Sequence, residues 1–344
     1  CLLSESVFDG TDDVLRTLSV ASLAPAVTGA IADSPAVSGL RDFTIGGISV
    51  AIMTRFLFLT DTHLGATNDL GYTQQPQYAD RLGELVALLD EWIAHQDGAG
   101  IDFVLHGGDM VDAVTGGTLA AARETFALSV PMYLALGNHD LTAPDSAALW
   151  LSAAPLFFPG GQLAYSLSGA GWMLHVLPTQ WGEVPYSWTD VQNPHFLPEH
   201  LANLEATLAQ YPGLMHLICT HAEVLPVPAV QIGRSGPYHP PLHSYRDVVA
   251  TLLHRFPQIK GVIGGHNHIN THGFLGAAHV VTASAFTEAP FEFKVFEISA
   301  DRVAMETVSL MERVSFRADY NWDKTFVQGR RCDRAFDTRD LGNE

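Results

Sequence analysis

Five apolar runs in this chain each stop abruptly at a short polar cluster. Arg55–Thr60 ends at Asp61-Thr62-His63, and Asp102–His106 ends at Gly107-Gly108-Asp109. Val130–Leu136 ends at Gly137-Asn138-His139-Asp140, and Leu214–Thr220 ends at His221. Gly261–Ile263 ends at Gly264-Gly265-His266-Asn267-His268. Short runs rich in β-branched and aromatic residues, closed by turn formers, predict buried strands. Between them the spacing changes to that of helices. Leu82, Leu85, Leu88, Leu89 and Ile93 fall on one face of Tyr78–His95, and Thr118–Leu128, Glu199–Gln210 and Asp247–Phe256 read the same way. Strands alternating with helices over short links predict a parallel sheet with right-handed crossovers. The first three clusters then share one sheet edge. Ala164–Ser168 and Trp172–Leu177 predict an antiparallel pair that opens a second sheet. His279–Thr282, Phe291–Ile298 and Val303–Leu310 read as closing antiparallel strands.

The flanks have a different texture. Residues 1–52 are rich in Ala, Ser, Val and Gly and contain no Lys. They read as a partly ordered leader of no assigned role, with a short helix around Val14–Val20 and a strand within Ile45–Ile52. The basic start and apolar centre of a secretory signal are missing, so a cytoplasmic setting is expected. The catalytic body is expected over residues 53–310, with the polar stretch 311–344 packed on it as an extension. Loops at Leu64–Gln77, Pro178–Pro198 and Leu225–Tyr245 interrupt the alternation. Loops hung at strand ends are where α/β proteins choose their substrates.

Composition narrows the function. A chain of 344 residues, 47% apolar and 16% charged, can bury a large core. Lys and Arg number 18 against 37 Asp and Glu, a formal charge of −19. That argues against binding long nucleic acid through a basic surface. A phosphate-bearing substrate would need local attraction, which bound cations can supply. Cys1, Cys219 and Cys332 have no zinc-finger or redox spacing and form no disulfide framework. Cys219 reads as a small buried core residue. No apolar run reaches membrane-spanning length, about 18 residues.

The clusters offer carboxylate, amide and imidazole donors and no thiolate. That mixture suits Mn, Fe, Zn or Ni rather than a Cys-rich structural zinc site or an all-oxygen calcium site. In Asp61-Thr62-His63 and His266-Asn267-His268, an extended backbone is expected to turn both donors to one side. Glycines before Asp109, Asn138 and His266 are expected to let the backbone approach the ions closely. Asp61, His63, Asp109, Asn138, His221, His266 and His268 are too many donors for one ion with a free position. They fit two ions sharing a carboxylate about 3.5–4 Å apart, able to activate a water and clamp a phosphoryl group. Other residues read blandly. His175, His216 and His254 read as core or surface, Asp112 as a cap, Trp181 and Trp188 as packing, and Arg234 as solvated.

Taken in order, Asp-x-His, Gly-Asp, Gly-Asn-His-Asp, a later lone His and Gly-His-x-His resemble the calcineurin-like metallophosphoesterases over about residues 53–300. The resemblance implies an α/β fold, a four-layer αββα sandwich with two mixed sheets flanked by helices. It implies that Asp61, His63, Asp109 and His268 hold one metal. Asp109 would bridge to a second, held also by Asn138, His221 and His266. It implies His139 as the general acid, with Asn138 and His139 touching substrate and a metal-bridging hydroxide as nucleophile. The Asp-x-His-Leu opening is similar to the cyclic-nucleotide phosphodiesterase-like bacterial branch, which often has paired histidines where this chain has His221-Ala222-Glu223. The implied activity is hydrolysis of small phosphodiesters. A phosphomonoesterase or nucleotide pyrophosphatase is the alternative on the same scaffold. A non-catalytic scaffold protein is a third reading, which such members reach by losing residues that this chain keeps. The expected partner is a small phosphate ester, with no membrane and no long nucleic acid, and a homo-oligomer is compatible. Asp140 is left between two roles, an orienting partner for its neighbours or the end of the turn.

Overall fold

The computed structural model of the chain describes residues 26–28, 44–45, 48–49, 53–67, 73–96 and 100–339. A six-stranded sheet runs Ala335–Asp337, Val303–Ser309, Glu292–Ile298, Thr54–Leu59, Phe103–His106, Met132–Leu134. The last three strands are parallel, so their carboxyl ends share an edge. Glu292–Ile298 pairs antiparallel on the other side of Thr54–Leu59. Phe56 stacks between Phe103 and Phe296 at 5.0 Å from each, locking three neighbouring strands together.

A seven-stranded sheet runs Ala26–Thr28, Tyr165–Gly169, Trp172–Val176, Met215–Cys219, Ile259–Gly264, Ala278–Thr282, Thr271–Leu275. The predicted antiparallel pair is Tyr165–Gly169 with Trp172–Val176. From Trp172–Val176 to Ala278–Thr282 the strands are parallel. Ala278–Thr282 is therefore not a closing antiparallel strand. Its antiparallel neighbour is Thr271–Leu275, which the pattern missed because Thr-His-Gly-Phe-Leu has neither an apolar run nor clean alternation.

Helices cover the outer faces, giving four layers. Leu82–Ala94 buries Leu82, Leu85, Val86, Leu89, Trp92 and Ile93, and Trp92 meets Phe293 of the six-stranded sheet at 5.0 Å. His243–Arg255 buries Val249, Leu252 and Leu253, and its Tyr245 hydroxyl lies 3.0 Å from that of Thr220 beside the other sheet. Gly116–Thr125 starts earlier than the apolar spacing indicated, because Thr115 accepts the N–H of Thr118 and caps it. Ser146–Ala153 is a further helix, too short for periodicity to announce. The two sheets share one core, tied by Tyr165, whose hydroxyl donates to the Leu134 carbonyl at 3.0 Å.

At the flanks, Ala26–Thr28 pairs antiparallel with Ser166–Ser168, and Thr44–Ile45 with Ile48–Ser49. The helix expected around Val14–Val20 lies outside the described residues. Ala335–Asp337 pairs with Ala304–Glu306. Buried Asp333 accepts from the Arg330 guanidinium and from the His272 backbone N–H at 2.7 Å. Among the described residues, no helix is long and apolar enough to cross a membrane.

Candidate metal centre

The five polar clusters meet where the carboxyl ends of the parallel strands of the two sheets come together. One group contains Asp61, His63 and His268. There His268 Nε2 lies 3.4 Å from Asp61 Oδ1 and 3.2 Å from His63 Nε2. A second contains Asp109, His221 and His266. There His221 Nε2 lies 3.2 Å from Asp109 Oδ2, and His266 Nδ1 lies 3.0 Å from Asn138 Oδ1. Asp109 Oδ2 is also 3.9 Å from His63 Nε2, so this carboxylate stands between the groups. All seven residues singled out in the sequence come together, six buried and His266 half-buried.

The outward ring nitrogens are already committed. His221 Nδ1 donates to the Gly107 carbonyl at 2.8 Å, and His268 Nδ1 meets Glu288 Oε1 at 2.6 Å. Each Nε2 lone pair then faces a carboxylate, which is repulsive unless a proton or a cation sits between them. Asp61 Oδ1 and His221 Nε2 are buried with no hydrogen-bond partner. Interiors seldom leave such atoms unsatisfied, at about 1–3 kcal/mol each. Carboxylate, amide and imidazole donors around a shared carboxylate fit a pair of divalent transition ions.

The backbone shows how the donors converge. Asp61, His63, Asp109, His266 and His268 all have positive φ, at 55°, 44°, 53°, 71° and 57°. Side chains in that region cost about 1–3 kcal/mol each and persist where the surroundings over-determine them, commonly at functional sites. Asp61 and His63 therefore meet through left-handed turns, not through extended alternation. His266 and His268 fall in different groups of the one centre, as the resemblance implies. The glycines before the donors let neighbouring loops pack tightly against one another. At Gly108, φ 110°, a Cβ would collide with the His221 ring, and at Gly137 with the Asp109 carboxylate.

Asp140 proves to be the orienting partner. Its Oδ1 accepts the N–H groups of Met110 and Val111 at 3.0 and 3.2 Å, and its Oδ2 accepts that of Gly137 at 2.9 Å. It thus ties the Asp109 loop to the Asn138 loop. His139 donates its backbone N–H to Asp109 Oδ1 at 2.8 Å, and its Nδ1 lies 2.8 Å from the Asp112 carbonyl. Burial alone would lower its pKa, but the charge on Asp109 and the bonds to Asp112 outweigh it and lift the ring to about 9. Asp112 is not the cap: Thr115 is. The Asp112 carboxylate lies 3.4 Å from His139 Nδ1 and 3.6 Å from His63 Nδ1, behind both rings.

The bland readings hold elsewhere. His175 Nε2 and His216 Nδ1 are 2.9 Å apart inside the core, and His254 is exposed. Cys219 is buried, and burial pushes its thiol pKa up. Arg234 is exposed, over the Tyr238 ring at 5.1 Å. Trp181 and Trp188 pack on the site itself, at 4.7 Å from His266 and 4.8 Å from His139 between ring centres.

Glu288 was missed. It holds His268 and takes the backbone N–H of Gln75 at 2.8 Å, yet stands alone in Ala-Phe-Thr-Glu-Ala-Pro, far from any cluster. Partners of this kind orient a ligand ring and raise its basicity. Glu288→Ala is expected to weaken metal binding by roughly 10–100-fold, read by calorimetric titration. Unchanged affinity would remove that role.

Protons compete for the same positions. Burial would lower the His221 pKa, but Asp109 and Asp61 outweigh it and raise it to about 9. Its folded value thus exceeds its unfolded value near 6.5. In chelated protein its stabilising contribution is complete below about pH 6.5 and is lost as pH rises through about 9. The melting temperature of the chelated form is expected to fall between pH 7 and 9, while metal affinity rises. A chelated form that gains stability over that span would contradict this.

A family profile described as calcineurin-like phosphoesterase matches residues 54–270. Comparison with curated protein sequences finds no match. Among solved structures, a dimetal phosphatase from Danio rerio is similar with TM-score 0.55 at 18% identity, over 74% of this chain and 96% of that one. GAP50 of Plasmodium, described as the anchor in the inner membrane complex, gives TM-score 0.54 at 12% identity, over 78% and 88% of the two chains. Purple acid phosphatase PPD1 of yellow lupin gives 0.51 at 14%, over 85% and 55%. These likenesses show a shared fold. The profile match, over most of the chain that carries the five clusters, shows that this protein belongs to the calcineurin-like phosphoesterase family and is a metal-dependent phosphoester hydrolase.

Proposed function

We propose that this protein hydrolyses small phosphodiesters, cyclic nucleotides among them, at a binuclear metal centre. Asp61, His63, Asp109 and His268 would hold one ion, and Asp109, Asn138, His221 and His266 the other. When bound, two such ions activate a water and neutralise the phosphoryl oxygens. The chain supplies the rest. His139, in its protonated form and with Nδ1 committed to Asp112, offers Nε2–H to the leaving oxygen. Asn138 turns its Oδ1 to His266, leaving its amide NH₂ for a phosphoryl oxygen.

The preference for diesters rests on charge. Among the described residues, the side-chain hydrogen bonds and ion pairs of Asp61, Asp109, Asn138, His221 and His266 involve Thr, Asp, Asn and His residues and the Gly107 carbonyl. No Lys or Arg pairs with them to balance the second charge of a phosphomonoester, whereas a diester carries one charge. The phosphomonoesterase reading draws on the two similar phosphatases, and a nucleotide pyrophosphatase would use the same machinery. GAP50 is an anchor of similar fold, but the full donor set and His139 favour an enzyme here.

The test is a panel of bis-p-nitrophenyl phosphate, p-nitrophenyl phosphate and 2′,3′- and 3′,5′-cyclic nucleotides, each with Mn, Zn, Ni and Fe. Higher kcat/KM for diesters is expected with the best metal. Higher kcat/KM for p-nitrophenyl phosphate would turn the assignment to a phosphatase.

A further inference from the structure

We propose that the C-terminal extension is part of the metal centre, and that it acts through Gln75, a positioning residue for the ligand His268. The inference rests on the binuclear centre proposed above. His268 is held by Glu288, whose Oε1 lies 2.6 Å from its Nδ1. Glu288 is held in turn by backbone ahead of the helix Leu82–Ala94. Its Oε2 accepts the Gln75 N–H at 2.8 Å, and its Oε1 accepts the Gln74 N–H at 3.3 Å. Among the described residues, the carboxylate has no other hydrogen-bond partner. The direction it gives the His268 ring therefore follows the backbone at Gln75.

That backbone is gripped by the extension. The Gln75 side-chain amide donates to the Asn321 carbonyl at 3.0 Å and to the Lys324 carbonyl at 2.9 Å, and its Oε1 accepts the Asn321 N–H at 2.7 Å. Both N–H bonds and the oxygen are used, so the amide fits in this orientation only. All three partners lie at the start of the 3₁₀ helix Trp322–Gln328. The same segment reaches the other flank of His268. The Asn270 N–H, two residues on, donates to the Val327 carbonyl at 2.8 Å, and a Cβ at Gly329 would collide with the Asn270 carbonyl. One short segment thus braces a single ligand from both sides. Elsewhere the extension is fastened by bonds that touch no ligand, such as that of Ser315 to Glu84 at 2.7 Å. A segment that favours the metal-binding position of His268 must itself be steadied when metal binds, because coupling is reciprocal.

The test uses full-length protein, stripped with chelator and titrated with Mn²⁺ by calorimetry. Gln75→Met keeps the reach of the side chain and loses its three bonds. It should bind one of the two ions roughly 3–10-fold more weakly, as loss of about one net hydrogen bond allows, and regain turnover at excess Mn²⁺. Because Gln75 acts through Glu288, adding Gln75→Met to Glu288→Ala should weaken binding no further. In wild type, hydrogen exchange of the Trp322–Gln328 amides should slow when Mn²⁺ is added. A lower melting temperature of the chelated variant with unchanged Mn²⁺ affinity would make Gln75 an anchor only and overturn the proposal. Additive losses in the double variant, or exchange that Mn²⁺ leaves unchanged, would overturn it too. If Gln75→Met does not fold, the exchange measurement on wild type decides alone. Two ions bound by wild type, with no difference in the variant, sinks this inference only. A wild type that binds no Mn²⁺ sinks the binuclear reading and this inference with it.

Discussion

Replacing His139 with alanine is expected to lower turnover by roughly 10²–10⁴-fold, the span over which general acids contribute, while both metal positions stay filled. The separation follows from the geometry. The His139 side chain belongs to neither of the two ligand groups: its Nδ1 is committed to the Asp112 carbonyl, and its ring packs edge-on against that of His63 at 4.7 Å. The bond from residue 139 to Asp109 is made by the backbone N–H, which alanine retains. The loss should be largest for esters with poor leaving groups, and smaller for p-nitrophenolate, which departs without a proton. Equal losses across leaving groups, at full metal content, would point to electrostatic stabilisation in place of proton transfer. Unchanged turnover would remove His139 from the mechanism.

Asp109→Asn should have an effect at least as large, by a different route. The carboxylate stands between the groups, with Oδ2 3.2 Å from His221 Nε2 and 3.9 Å from His63 Nε2, and Oδ1 accepting from His139 at 2.8 Å. An amide of the same shape has one oxygen and no charge. It can accept the His139 N–H or face the ions, but not both. Bound metal is expected to fall from about two ions per chain to one or fewer. Turnover should drop by at least the roughly 10²–10³-fold that follows removal of one stabilising group. Two ions per chain and near-wild-type turnover in this variant would remove Asp109 as the shared ligand.

The site was legible because its donors follow apolar runs directly. Strand ends announce themselves in sequence, and Asp61, Asp109, Asn138, His221 and His266 each sit at one. Fold class was legible for the same reason, since alternating strands and helices leave few arrangements. The finer geometry was hidden. Nothing in the letters Asp-Thr-His says that both outer residues take left-handed backbone, because any residue type can be forced there by its surroundings. The split of His266 and His268 between the two groups was implied by the resemblance and not by their spacing. Glu288 and the Asp112 carboxylate act through contacts made only on folding, from positions that carry no local pattern. Thr271–Leu275 was missed because its buried residue, Thr271, is polar and its exposed residue, Phe274, is apolar, so letters and burial do not match.

Elemental analysis of the purified, metal-replete protein tests the central claim most directly. The donor set around Asp109 predicts about two transition-metal ions per chain after dialysis, and about one or fewer in Asp109→Asn. A folded, metal-replete wild type that retains none would contradict it.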